Sequence, residues 1–294
     1  MFARFRRLLS QLSWLVRSRG LRGDLGALRS ECEKLRVELA QLSHHVSALE
    51  WLAQAARWRP GDLRFFEHRC RSQNGEDGIL REIFSRIGTT NRYFVEFGVG
   101  DGSECNSAAL ALDQQWNGLQ LEADPREFEQ LAARYAPFPG IRCAGARVTP
   151  ENIESVLAQH EVPPEPDLLS IDIDGQDYWV WSELVNWRPR VVVVEYNASY
   201  RPPVKWVMSR DPEHVWDATS YFGASLAALE ALGRAKAYQL VGTESCGVNA
   251  FFVRSDLCGD RFIAGSAGYF YSPPRYGAPP HYGHPPGIGP ALES

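Results

Sequence analysis

The chain between residues 59 and 264 alternates short apolar segments with segments of helical periodicity. Runs rich in β-branched and aromatic residues predict strands at 92–98, 118–123, 141–148, 168–174 and 190–196. Amphipathic segments between them predict helices at 104–115, 125–135 and 176–185, and Thr149 followed by Pro150 predicts a further helix that begins at Pro150. Strands that alternate with helices indicate βαβ units, in which helices cover a parallel sheet. The predicted fold class is therefore α/β.

The pattern changes near the end of this region. A helix predicted at 225–232 is followed by two strand segments, 238–243 and 249–254, with a tight four-residue turn, Glu244–Gly247, between them. A turn this short can only connect antiparallel strands. We therefore expect a sheet that is parallel except for one reversed last strand.

The first 58 residues follow two other patterns. Within residues 1–19, five arginines and no acidic residue accompany one apolar stripe, which consists of Phe5, Leu8, Leu9, Leu12, Leu15 and Val16. This pattern predicts a basic amphipathic helix that touches the inner face of the cytoplasmic membrane; the alternative is a helix that only extends its neighbour. From Leu21 to Leu49, apolar residues recur at steps of four and three. That spacing predicts a coiled coil over residues 20–58 that joins copies into a homo-oligomer, with packing on its own domain as the alternative.

Composition narrows the class of protein. Of the 294 residues, 44% are hydrophobic and 23% are charged, which is typical of globular proteins and unlike disordered chains. No apolar stretch reaches the ~18–20 residues that cross a bilayer, and the formal net charge of −5 disfavours nucleic acid as a partner. Six scattered cysteines without metal-ligand spacing indicate reduced thiols and a cytoplasmic protein. Residues 265–294, rich in proline, glycine and tyrosine, predict no regular structure, either as a disordered tail or as an extended strap over the preceding domain.

The strongest chemical signal is the segment 95–102, Val-Glu-Phe-Gly-Val-Gly-Asp-Gly, at a predicted strand-to-helix junction. Its alternating glycines, Gly98, Gly100 and Gly102, let the backbone pass close beneath a ligand. A dinucleotide fingerprint would have its third glycine at Ser103 instead, so the spacing disfavours a nucleotide-dependent oxidoreductase. A plain tight turn is the other explanation for these glycines.

Two acidic residues accompany this loop. Glu96, two residues before the first glycine, suits a ligand with a cationic amino acid moiety. Glu122 closes the next predicted strand, where an acid can accept hydrogen bonds from both hydroxyls of a ribose. A solvated carboxylate at the end of the strand is the alternative for Glu122. Both acids are therefore candidate cofactor-binding residues.

Polar residues also end two other predicted strands. Asp172 and Asp174 alternate at the end of one strand and so share a face, and Glu195 and Asn197 end the next strand. Four oxygen ligands at adjacent strand ends predict a site for one hard cation, Mg²⁺ or Mn²⁺. In the alternative without metal, one carboxylate orients substrate hydroxyls and the others cap helices.

Three segments, residues 72–78, 94–102 and 171–179, resemble the FkbM-like branch of the class I S-adenosylmethionine (SAM)-dependent methyltransferases. The resemblance covers about residues 68–256 and implies a Rossmann-like methyltransferase sheet with SAM as cofactor. It further implies that SAM binds Glu96, the three loop glycines and Glu122. Gln73, Glu76 and Asp77 are expected to line the same site, or else to cap a helix.

The third segment departs from the commoner family form. Ser170 and Asp174 stand where that form has a lysine and a glutamate. The segment is closer to the metal-using sugar O-methyltransferases of macrolide pathways, although the run 195–197, Glu-Tyr-Asn, stands where those enzymes carry paired aspartates. The resemblance therefore implies a carbohydrate-type acceptor.

The predicted function is transfer of a methyl group from SAM to a sugar hydroxyl of a glycan or glycolipid precursor. Asp172 and Asp174 are candidate catalytic residues, and His214, in an aromatic-rich insertion at 198–220, is a candidate general base or a structural histidine. A non-enzymatic alternative is a coiled-coil scaffold with a degenerate methyltransferase domain. The intact loop glycines and their two acids argue against degeneration.

Overall fold

The protein, seen in a computed structural model, is described at residues 29, 31–36, 46, 49, 53, 55–276 and 282–293. It divides into two compact units, residues 1–58 and residues 59–294. The predicted amphipathic helix of residues 1–19 lies outside the described residues, as does most of the predicted coiled coil, although residues 31–36 are helical. None of the helices in the described ranges has both the length and the apolar character that crossing a membrane requires.

A seven-stranded sheet forms the centre of the second unit. The strands in the described residues are β1 (Tyr93–Phe97), β2 (Asn117–Glu122), β3 (Ile141–Gly145), β4 (Leu168–Ile171), β5 (Val191–Glu195), β6 (Trp206–Met208), β7 (Tyr238–Thr243), β8 (Asn249–Arg254) and β9 (Ala291–Glu293). The large sheet has the order β3-β2-β1-β4-β5-β8-β7, and β6 pairs with β9 in a second, two-stranded sheet. Neighbours from β3 to β5 are parallel, whereas β8 is antiparallel to both β5 and β7.

This topology confirms the predicted α/β class and the single reversed strand. The reversed strand, β8, is the last strand of the large sheet in the sequence but lies between β5 and β7 in space. The architecture is Rossmann-like. Because β8 runs backwards, its first residue, Asn249, lies at the edge where the parallel strands have their carboxyl ends, opposite Glu195 in the ladder.

Helices cover both faces of the sheet. They are α1 (Glu76–Ile87), α2 (Ala108–Gln114), α3 (Pro125–Tyr135), α4 (Ile153–Gln159), α5 (Asp177–Glu183), α6 (Leu226–Ala235), α7 (Ser255–Cys258) and α8 (Ala267–Phe270), and a short 3₁₀ helix covers Leu63–Phe66. One buried cluster joins a sheet face to α1, α2 and α3, and another joins the opposite face to α4, α5 and α6. The strand β5 has four fully buried valines in succession, as expected of a strand covered on both faces.

Two predicted boundaries are wrong in ways that affect the site. The helix expected to begin at Pro150 begins at Ile153, because the Asn152 side chain accepts a hydrogen bond from the Thr149 N–H at 2.8 Å and keeps the preceding residues in a turn. The strand expected to reach Asp174 ends at Ile171, and Asp174 has a left-handed φ of 53°. The two aspartates therefore belong to a loop, and strand alternation does not place them together.

The expectation that the tail has no regular structure is wrong at two places, α8 and β9, and the extended strap is confirmed for residues 282–293. Besides the pairing of β9 with β6, the Tyr221 hydroxyl donates to the Pro290 carbonyl at 2.6 Å, and the Ser220 N–H donates to the Pro285 carbonyl at 2.8 Å. A Cβ on Gly289 would lie 2.3 Å from the Tyr221 ring. The strap thus fits only with glycine at this position.

Gly289→Val is expected to release the strap, because the added side chain would occupy the space of the Tyr221 ring. Forcing atoms into a filled space costs about 1–3 kcal/mol, so chymotrypsin cleavage after Tyr282 should accelerate about tenfold or more. Ile288→Ser is the matched control, because Ile288 is fully exposed beside it. Equal cleavage rates for Gly289→Val and the wild type would show that the strap docks without this contact.

Candidate functional site

The three loop glycines follow β1 and have positive φ angles of 70°, 54° and 74°. A Cβ on Gly98 would lie 1.6 Å from the Asp172 carbonyl oxygen, and one on Gly102 would lie 2.6 Å from Leu131 in α3. A Cβ on Gly100 would meet no atom within 4 Å. Two of the glycines therefore allow the backbone to pack closely, and only Gly100 leaves space that a ligand can use.

The two predicted acids hold this loop in place. Glu96, which is 3% exposed, accepts hydrogen bonds from the backbone N–H groups of Asn106 and Ser107, both at 2.8 Å. Glu122 accepts hydrogen bonds from the N–H groups of Gly100 and Asp124, also at 2.8 Å. Burial raises the pKa of Glu96 above its ordinary value, while the N–H groups oppose that rise. Each acid thus shapes the loop, in addition to any contact with a ligand.

Two cavities adjoin along the carboxyl edge of the sheet. The larger has a volume of about 510 Å³, and its lining includes Leu121, Glu122, Arg147, Val148, Asp174, His214 and Trp216. The smaller has a volume of about 290 Å³, and its lining includes Gln73, Glu76, Glu96, Asp101, Asn106 and Asn249. Gly98, Gly100 and Asp172 line both cavities. An elongated ligand can therefore pass over Gly100 and occupy both.

Three of the four predicted metal ligands come together. Asp172, Asp174 and Glu195 each offer a carboxylate oxygen within 4.8 Å of the others. The Oε2 atom of Glu195 is buried and has no hydrogen-bond partner in the described part of the chain. Burial first, and then repulsion among neighbouring carboxylates, raises the pKa of both Asp172 and Glu195 well above the ordinary range. A cation would relieve this repulsion, so the group fits a hard divalent ion.

The fourth predicted ligand, Asn197, has a different role. Its side chain is fully buried, and its amide donates to the carbonyls of Ser220 at 2.8 Å and Phe222 at 2.9 Å. The amide oxygen accepts from the Ser199 N–H at 3.1 Å. Both amide hydrogens and one side of the oxygen are thus engaged with backbone groups. This assigns Asn197 to anchoring the insertion and corrects its prediction as a metal ligand.

Asp177 organises the loop that carries the two aspartates. Its carboxylate accepts hydrogen bonds from the N–H groups of Ile173 at 2.9 Å and Gly175 at 3.0 Å. Burial raises the pKa of Asp177 to about 6, against the effect of these hydrogen bonds. The side chain at the start of α5 therefore fixes the loop from within, which brings Asp172 and Asp174 together without a strand.

His214 lies in the larger cavity, as a general base would require. Its Nε2 is buried and has no hydrogen-bond partner in the ranges that the structure describes. Burial lowers the pKa of His214 below its ordinary value, which favours the neutral imidazole that a general base needs. The Arg147 guanidinium donates to the His214 carbonyl at 2.7 Å and holds this part of the insertion at the cavity wall.

The structure also brings residues to the site that the sequence does not single out. His284, from the strap, lies in a nest of rings, with centroid distances of 4.6 Å to Trp216 and 4.9 Å to Tyr276. Asn249 lines the smaller cavity together with Gln73, which is exposed there. The predicted reversal of the last strand implies that Asn249 lies at this edge of the sheet. The tail has no periodicity that could indicate a role for His284.

Comparison with known proteins yields similar structures only. No family model matches the chain, and no curated protein matches it either. The N-terminal domain of EvdMO1 with S-adenosylhomocysteine (SAH) bound is 14% identical, with 62% of this chain and 80% of that chain covered and a TM-score of 0.40. Fibrillarin, a pre-rRNA processing protein from Methanococcus jannaschii, is 10% identical, with coverages of 62% and 76% and a TM-score of 0.39. A SAM-dependent methyltransferase from Aquifex aeolicus is 8% identical, with coverages of 60% and 89% and a TM-score of 0.36. At such identities a likeness concerns fold and not function.

Proposed function

We propose that the protein is a SAM-dependent O-methyltransferase that acts on a sugar hydroxyl of a glycan or glycolipid precursor. One arrangement carries the proposal: the two adjoining cavities meet at Gly100, and an acidic cluster borders their junction through Asp172. SAM would lie over Gly100 with its ribose at Glu122 and its amino acid moiety in the smaller cavity. The methyl group would then face the acidic cluster.

The residues around that junction suit transfer to a hydroxyl. Methyl transfer needs the acceptor oxygen in line with the sulfonium, so positioning supplies much of the rate. Asp172, Asp174 and Glu195 would hold a divalent cation, which when bound would polarise the acceptor hydroxyl and lower its pKa. His214 lines the same cavity, and its Nε2 has no hydrogen-bond partner among the described residues. This atom would take the hydroxyl proton as the methyl group arrives.

The wall of the larger cavity supports a carbohydrate-type acceptor. Trp216 lines it with an aromatic ring, which would suit the apolar face of a sugar, and the carboxylates would accept hydrogen bonds from the sugar hydroxyls. The insertion behind this wall is braced by rings, with Tyr200 stacked on Trp206 at a centroid distance of 4.2 Å. With a divalent cation held by the acidic cluster, this wall favours a polyhydroxylated acceptor over a positively charged amine.

Methyl-labelled SAM with a panel of nucleotide sugars and glycans tests the proposal. We expect label in a subset of acceptors and none in the deoxy analogue that lacks the receiving hydroxyl. His214→Asn should lower kcat about 100-fold or more at unchanged SAH affinity, as expected for loss of a general base. Asp113→Asn, which removes a surface ion pair with Arg71, is the control. Transfer to nitrogen or carbon acceptors alone would contradict the proposal.

The first 58 residues are proposed to assemble and localise the enzyme. Three residues of the apolar spacing, Leu35, Val46 and Leu49, are exposed in the single chain, which favours a second copy as their partner. We propose a homo-oligomeric, cytoplasmic enzyme whose residues 1–19 contact the inner face of the membrane, where lipid-linked glycans are accessible. Deletion of residues 1–58 should give a smaller species in light scattering and end flotation with anionic liposomes. An unchanged oligomer would contradict the coiled coil.

A further inference from the structure

The smaller cavity contains a buried polar atom without a partner. Asn249, the first residue of β8, is 3% exposed and lines this cavity. Its Nδ2 donates to Glu76 Oε1 at 2.9 Å, whereas its Oδ1 is buried and has no partner among the described residues. Buried polar atoms are nearly always hydrogen-bonded. A donor from a bound ligand would therefore complete this site.

The orientation of the Asn249 amide is fixed by Glu76. The Asn249 amide nitrogen donates to Glu76 Oε1, so the amide oxygen points away from Glu76. Glu76 is itself fully buried, and its Oε2 accepts from the Asn74 N–H at 2.8 Å. The segment before α1 and the start of the reversed strand thus hold one acceptor ready at the cavity wall.

The charge of the cavity selects the kind of donor. Five carboxylates line it, those of Glu76, Glu96, Asp101, Glu104 and Asp172, and its lining contains no lysine, arginine or histidine. Two of them form ion pairs with arginines outside the lining, Asp101 with Arg134 and Glu104 with Arg69. Both oxygens of Glu96 already accept hydrogen bonds from the backbone N–H groups of Asn106 and Ser107, just before α2. The other three carboxylates, those of Glu76, Glu96 and Asp172, favour a cationic donor over an anionic group in this site. Asn249 Oδ1, which is buried without a partner among the described residues, would accept a hydrogen bond from that donor directly.

We infer that Asn249 binds the cofactor by accepting a hydrogen bond from the α-ammonium group of its methionine moiety. This inference rests on the proposed function, because it takes SAM or SAH as the ligand of the adjoining cavities. The adenosine half lies at Glu122 and the amino acid half enters the smaller cavity past Gly98 and Gly100. Glu76 acts through the Asn249 amide, which it keeps oriented, and adds to the negative potential.

A cycle of two ligands and two proteins tests the inference. Calorimetry would compare SAH with its des-amino analogue, in which hydrogen replaces the α-amino group, on the wild type and on Asn249→Ala. The wild type should prefer SAH by roughly 10- to 100-fold, because hydrogen bonds to charged groups are the stronger kind. Asn249→Ala should lose most of this preference, because the direct hydrogen bond is removed and only the carboxylates that remain still favour the ammonium group.

A matched control separates this role from a structural one. Thr243→Val removes a buried hydroxyl from the neighbouring strand, outside the lining of both cavities, and should keep the wild-type preference for SAH. If the wild type binds both ligands equally well, the inference is overturned while the proposed function stands, whether or not Asn249→Ala folds. If Asn249→Ala retains the full wild-type preference, the inference is likewise overturned. If the wild type binds neither ligand, the proposed function fails, and the inference fails with it.

Discussion

Gly100→Val is expected to weaken SAH binding about 100-fold or more while the domain stays folded. The position has open space, because a Cβ there meets no protein atom within 4 Å, and that space belongs to both cavities. A valine would fill it at the point where an elongated ligand passes. A 100-fold loss corresponds to about 2.7 kcal/mol, within the cost of forcing extra atoms into a filled site. Calorimetry measures the affinity, and circular dichroism checks the fold.

Two other glycines provide the comparison. Gly88→Val places the same side chain at a positive φ of 66° with no atom within 4 Å, but away from both cavities, so it should lower stability and leave SAH affinity unchanged. Gly98→Ala should prevent folding, because its Cβ would collide with the Asp172 carbonyl and push β1 from β4. Normal SAH binding by Gly100→Val would mean that the cofactor does not cross this loop.

The sheet could be predicted because its signals are local. Runs of β-branched and aromatic residues predict strands 238–243 and 249–254 with the bounds that the structure shows. The short turn between them requires that the two strands be antiparallel. The glycine spacing predicts a ligand-binding loop. It does not show that Gly98 and Gly102 are needed for close packing of the backbone. Both requirements depend on atoms of β4 and α3 that are distant in sequence.

The parts of the site that escaped prediction depend on tertiary contacts. The sequence correctly predicts that Asp172 and Asp174 lie together. The cause is a loop that Asp177 holds by hydrogen bonds, and not alternation along a strand. Asn197 follows a strand end as a ligand would, but only the folded insertion shows that the backbone uses its amide. His284 reaches the site through a strap that lacks any hydrophobic period.

Methyl transfer is expected to require Mg²⁺ or Mn²⁺ and to be lost in excess chelator. Glu195→Gln should weaken Mn²⁺ binding at least about 100-fold, because loss of even an outer contact of a metal site costs about 10- to 100-fold. Electron paramagnetic resonance of free Mn²⁺ measures this affinity. Glu151→Gln, which breaks only the surface pair with Arg210, is the control. Full activity in chelator with an inactive Glu195→Gln would make this carboxylate a direct ligand of the acceptor.

Glu195→Gln, which should weaken metal binding, should instead increase the stability of the metal-free protein. Burial, and then the charge of Asp172, raises the pKa of Glu195 above its ordinary value of 4.5. A group whose pKa is raised by folding stabilises the native state most at low pH, and that stability is lost as pH rises through the folded pKa. Because glutamine does not ionise, Glu195→Gln does not lose stability in this way as pH rises. Without metal, the variant should therefore melt with the wild type near pH 4 and above it at neutral pH.

Added Mn²⁺ should reverse this order at neutral pH. A ligand that binds only the folded state raises the melting temperature with its concentration, so the wild type should gain stability while Glu195→Gln gains little. Repulsion among the carboxylates of Asp172, Asp174 and Glu195 destabilises the metal-free protein, and a bound cation would offset this repulsion. If Mn²⁺ stabilises both proteins equally, the ion binds elsewhere, and the three carboxylates act on the acceptor without it.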